Sequence, residues 1–366
     1  MEQHQLLPSA SRPALPRAAA TLPGRVRRGL TAGRLRRLAA AAAVVAVLTG
    51  CGVRMETPSP TQPVPDAVEA ARRAAVQDVV DVEAQARATI AALPADAKGD
   101  EKRAVERKRD NLQAILDDST AHLAALGGQY VSGLLDADGV PLPAEPTPAD
   151  AEPGSQQTVD RLVQSYARAR GALATQEDDA VARLMASVAV AQLTRAQTLA
   201  AAGGDTLPET DAPASAQVPD ALPEGVDVDA DLLPLIAAED AAGYAYEVLS
   251  ARVTEAERVA ARTRAAQHRA RAEAWARLAE VDGTAQDPRE VAYALPDGVL
   301  ADPVDTSGLH ALETGLATSY ATLVAEVAPE LRTAMLDLLT DSYGAALTWG
   351  ATPVAFPGLP ERASEG

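Results

Sequence analysis

The 366-residue chain has a single cysteine, Cys51, so no disulfide can form within it. Aromatic residues are only 3% of the chain, with one phenylalanine and two tryptophans, and runs of Val, Ile and Thr are scarce. β-sandwiches are built from such residues, so the pattern favours helices packed through small side chains over them. Lysine is almost missing, with Lys98, Lys102 and Lys108 the three present, and Arg carries nearly all the positive charge. There is no G-x-S-x-G, no P-loop, no H-E-x-x-H and no cysteine placed as a nucleophile.

Acid and alanine are plentiful instead. The formal net charge is −18, yet residues 1–50 hold eight Arg and one acid. Without them, 25 basic residues face 50 acidic ones, a balance of −25. Such a chain has no electrostatic footprint for nucleic acid. The mixed run "EKRAVERKRD" (101–110) alternates sign at helical spacing and reads as a solvated helix face.

The N-terminus carries an address. In "RVRRGLTAGRLRRLAAAAAVVAVLTGC" (25–51) an Arg-rich head precedes about a dozen apolar residues, too few to span a bilayer and typical of a secretory signal. It ends in Leu48-Thr49-Gly50-Cys51, which resembles the bacterial lipobox. That resemblance implies cleavage before Cys51, acylation of its sulfur and anchoring on the extracytoplasmic face of the cell membrane, where two or three acyl chains hold stably. Arg36-Arg37 also admits twin-arginine export. The expected plan is a signal peptide (1–50), a Pro-rich tether (51–65), a helical bundle (66–203), an acidic Pro-rich linker (204–230) and a second helical body (231–362).

In the first body, apolar spacing and Pro/Gly punctuation predict helices over 66–93 and about 99–126, a loop over 136–155, and helix from Thr158 to about Ala202 broken near 171–175. It carries no chemical constellation, and His122 reads as a surface or satisfied helix residue. In the second body, Leu232, Leu235, Glu239, Ala242, Tyr246, Leu249 and Val253 are spaced alternately by three and four, one stripe with an acid in its middle. Glu239 therefore points inward, while Asp240 and Glu247 fall on the flank.

A shift of 74 residues reproduces the pattern. Leu235, Glu239, Tyr246, Leu249, Val253, Arg258, Ala272 and Trp275 recur as Leu309, Glu313, Tyr320, Leu323, Val327, Arg332, Ala346 and Trp349. The unit is a duplicated αα-hairpin, which predicts an all-α protein whose second body is an antiparallel four-helix bundle with a pseudo-two-fold axis.

The segments "AAEDAAGYAYEVLSAR", "QHRARAEAWARL", "AYALP", "LETGLATSYATLV" and "FPGLP" resemble a ferritin-like domain family of uncharacterised function found in actinobacterial envelope lipoproteins. In the di-iron members of that fold, each hairpin supplies one Glu from its first helix and a Glu-x-x-His from its second. This chain keeps Glu239, Glu313 and His268, but Ala265, Leu339 and Ser342 stand where the other ligands belong. Two readings remain. Glu239, His268 and Glu313 hold iron or manganese, as in a metal-binding protein or oxidase. Otherwise they form an ionic core in which His268 is protonated between the carboxylates or Arg264 and Arg271 pair with them, and Tyr246, Tyr320, Trp275 and Trp349 are core repeats. The second reading expects no cofactor and a non-enzymatic role, with an envelope protein or cell-wall ligand as partner.

Overall fold

The computed structural model describes residues 62–210, 216–222 and 226–363. The expected signal peptide (1–50), Cys51 and most of the expected tether lie outside the described residues. Those residues form eight α-helices and no strand. Only two isolated bridges, Tyr130 to Glu145 and Leu135 to Pro141, pin the loop that follows the second helix.

α1 (Ala67–Ala91) starts where the Asp66 carboxylate accepts from the Glu69 N–H at 2.8 Å. α2 (Gly99–Ala125) ends before Gly127 and Gly128, whose φ values of +81° and +72° suit residues without a Cβ. α3 (Ser155–Leu173) and α4 (Asp179–Gly203) follow, the latter capped by Asp178 and stopped by left-handed Gly204. A π-turn (Val228–Leu232) leads into α5 (Leu233–Ser250). α6 (Glu255–Leu278) opens with a capping box between Thr254 and Glu257. α7 (Ser307–Glu326) and α8 (Arg332–Thr348) complete the second hairpin. Helices pair α1–α2, α3–α4, α5–α6 and α7–α8, and α5 also packs on α7.

The sequence marks 204–230 as a spacer, but the bundles on either side of it share one core, running from Val76 through to Leu359. The reason lies in α4. Nine consecutive residues, Ala186 to Thr194, are all buried, so the middle of this helix has no face to turn to water. Its small side chains let α7 and α8 pack against it as well as α3. Polar contacts fix the register: Arg170 holds Asp337 through Nε at 3.0 Å and Nη2 at 2.8 Å, and Arg332 reaches the Gln176 carbonyl and Asp179. The spacer itself contributes Ala216, which is buried in the same core.

The C-terminal run Val354–Pro360 folds back onto α4 and α7. The Pro357 carbonyl accepts from Ser187, and the Ala355 carbonyl accepts from His122 Nε2 at 2.7 Å. Burial holds the His122 pKa below its ordinary value despite that carbonyl bond, so the ring is neutral and carries its proton on Nε2. Gly358 has φ +76°, and a Cβ there would stand 2.6 Å from the Ala321 Cβ. Only glycine lets the tail lie this close to α7.

Candidate functional site

Glu239 and Glu313 face each other across the axis of the second bundle, both fully buried. Their neighbours are exchanged between the repeats. Tyr246, on the same helix as Glu239, donates its hydroxyl to Glu313 Oε1 at 2.8 Å. Tyr320, on the same helix as Glu313, donates to Glu239 Oε1. The pseudo-two-fold axis therefore appears in the hydrogen bonding as well as in the sequence.

The charges that answer the two acids are not symmetric, and all the cations come from α6. The His268 ring lies between the carboxylates, with Nδ1 2.5 Å from Glu239 Oε2 and Nε2 3.1 Å from Glu313 Oε1. It stacks on Tyr246 with ring centres 5.5 Å apart and planes 10° from parallel. Arg264 clasps Glu313 with Nε on Oε1 at 2.7 Å and Nη2 on Oε2 at 2.6 Å. It also reaches Asp341 on α8. Arg271 donates to the same Asp341 oxygen at 2.7 Å and to the Ala216 carbonyl at 3.2 Å.

Burial by itself opposes the imidazolium, but the two facing carboxylates outweigh it and raise the His268 pKa above 6.5. Both ring nitrogens face acceptors, which only the doubly protonated ring satisfies. Burial likewise pushes Glu313 up, yet the bonds from Arg264 and His268 bring it down to about 2. Asp341 follows the same rule: desolvation raises it and the two arginines lower it further. Burial and the facing glutamates push both tyrosines up, so they remain hydroxyl donors. Three carboxylates thus meet Arg264, Arg271 and an imidazolium, and the cluster is formally neutral. Neutrality matters here because an unpaired buried charge costs several kcal/mol or more.

The set does not fit a metal ion. A ligating imidazole needs a free lone pair on one nitrogen, and both nitrogens of His268 are engaged by carboxylates. The carboxylate oxygens in turn accept from His268, Arg264 and the two tyrosines. Two guanidinium groups beside them repel a cation. On α8, the positions 74 residues after Ala265 and His268 hold fully buried Leu339 and Ser342, which add neither a carboxylate nor an imidazole. Among the described residues no group of three His, Cys, Asp or Glu is arranged to hold a metal.

Asp341 neighbours Ser342 on α8 and lies off the inward face of that helix. Its neighbours on α6 are arginines long enough to reach it, so it joins the cluster as the third acid. Asp240 does lie off the stripe, as its spacing predicts, but it is buried. Arg269 Nη1 donates to it at 2.6 Å and the Tyr293 hydroxyl at 2.8 Å, the latter from the "AYALP" run. Trp275 is fully buried, whereas Trp349 is half-buried at the edge of a smaller apolar cluster around Tyr246. His310 takes no part in the site.

A helical hairpin pair closed around a neutral ionic core defines the class of this domain. Residues 233–361, about a third of the chain, match the model of a protein family described as a domain of unknown function (DUF4439). The match ends on the "FPGLP" tail and leaves α1–α4 outside. No curated protein matches the chain, and no solved structure does.

Proposed function

We propose that this chain is an exported, lipid-anchored and non-enzymatic protein of the cell envelope, whose C-terminal part is a degenerate ferritin-like bundle with a binding or structural role. One observation carries the reading. The inherited ligand positions Glu239, Glu313 and His268 are bound to one another and to Arg264, Tyr246 and Tyr320, leaving no open coordination site. The lipobox-like Leu48-Thr49-Gly50-Cys51 supplies the address. Among the described residues no helix is long and apolar enough to cross a membrane.

Elemental analysis of the purified full chain tests the core. Iron and manganese are expected well below one per chain, and adding either ion should leave the thermal midpoint unchanged. A stoichiometric metal that disappears in Glu239→Gln with the helical fold intact would overturn the reading in favour of a metalloprotein. The address has its own check: wild type should partition into the detergent phase and Cys51→Ser should not.

A further inference from the structure

The seam between the two bundles contains a groove of about 460 Å³, inside the range of about 300–1,000 Å³ that holds small-molecule ligands. Its wall is the C-terminal tail: Pro353, Val354, Phe356, Pro357, Leu359 and Pro360, closed on the other side by Ala114 of α2, Thr314 and Thr318 of α7, and Tyr343 of α8. Three prolines give this wall little freedom and no N–H groups of their own.

The polar side chains around the groove are already engaged within the protein. Thr314 and Thr318 donate to the carbonyls of His310 and Thr314 on their own helix, at 2.8 and 3.0 Å. The Tyr343 hydroxyl accepts from the Val354 N–H at 2.9 Å. Asp118 is held by Arg195 at 2.6 and 3.1 Å, and exposed Asp117 accepts from Gln113 at 2.9 Å. The Arg362 guanidinium lies over the Phe356 ring, 5.5 Å from its centre. The Ala355 and Pro357 carbonyls are turned to His122 and Ser187. Two acids and two arginines border the space, so its charge also cancels. Most of what remains for an occupant is apolar surface.

We propose that this groove binds an uncharged, apolar small molecule, bridging the N-terminal bundle and the C-terminal domain. The inference rests on the binding role proposed above and names the ligand class. An anionic ligand would lose its hydration and find Arg195 already held by Asp118, whereas an apolar one gains burial against Pro353, Val354 and Pro360, which the fold leaves partly exposed. Because its walls come from α2 and α4 as well as α7, α8 and the tail, an occupant also holds the two halves together and raises the melting temperature by mass action.

The test is a titration of the full chain carrying Cys51→Ser, so that no acyl chain of its own competes. The probe is N-phenyl-1-naphthylamine, an uncharged fluorophore that brightens in apolar surroundings. Saturable one-to-one binding is expected, displaced by 1-decanol and weakened about tenfold or more when the groove is filled by Ala114→Trp or Thr318→Trp. The sulfonated analogue 8-anilinonaphthalene-1-sulfonate should bind about tenfold more weakly than the uncharged probe. Absence of saturation in the parent overturns the proposal, as does unchanged affinity in either tryptophan variant that keeps its melting transition. Equal or tighter binding of the sulfonate overturns it as well. If stoichiometric metal is found while the groove still binds, only the non-enzymatic reading fails. If there is neither metal nor binding, only the groove assignment fails.

Discussion

Glu313 accepts from four donor atoms and Glu239 from two, so the two acids depend unequally on their tyrosines. Tyr320→Phe leaves Glu239 with His268 alone and should lower the unfolding free energy by about 2–3 kcal/mol, against about 1 kcal/mol for Tyr246→Phe. Urea denaturation of the two variants checks the order, and a larger loss for Tyr246→Phe would contradict it. The same residues set a pH dependence with two limbs. His268 has its folded pKa above 6.5, so its contribution is complete below that value and is lost as pH rises through the folded pKa. Glu313 is held at about 2 against an ordinary 4.5, so its contribution is present above 4.5 and is lost as pH falls towards 2. The thermal midpoint should therefore fall at both ends. The alkaline decline should vanish in His268→Gln, and the acid decline should shrink in Glu313→Gln.

Each hairpin turn is closed by the arginine that the 74-residue repeat conserves. Arg258 donates through Nε to the Ser250 carbonyl at the end of α5 and through Nη2 to the Val253 carbonyl in the turn, and Arg332 Nε donates to the equivalent Val327 carbonyl at the end of α7. Arg332 is buried and also grips the start of α4, whereas Arg258 works near the surface. Arg258→Ala should cost about 1 kcal/mol and Arg332→Ala about 3 kcal/mol, measurable as a difference in denaturant midpoint. Much at this scale was legible in the sequence. The three-four spacing places Glu239 inward, the shift of 74 finds its counterpart, and Pro94, Gly127-Gly128 and Gly204 end their helices near the expected places. What spacing does not carry is reach. A helical wheel puts Asp341 off the inward face, but it cannot show that Arg264 and Arg271 extend to it from a neighbouring helix. Nor does periodicity reveal that Tyr246 serves the acid of the other hairpin, because that depends on how the hairpins cross. The burial of Asp240 had the same obstacle, since its partner Tyr293 comes from a connecting loop.

The whole chain from α1 to the tail shares one core, and this bears on how it unfolds. A long acidic spacer between two bundles suggests two independent melting events. With the middle of α4 buried between the bundles, separating them would expose a largely apolar helix segment. Calorimetry should therefore record a single transition for residues 62–363, with the van't Hoff enthalpy matching the calorimetric one. Two resolved transitions would contradict the shared core. The crossed tyrosine–glutamate bonds have a consequence of a different kind, for how the sequence can drift. In most duplications each copy is free to decay alone once the other suffices. Here a change at position 239 is felt at 320, and one at 313 is felt at 246, always in the opposite copy. The two hairpins have become a single unit of heredity, in which the loss of an acid or a hydroxyl from one takes a partner away from the other.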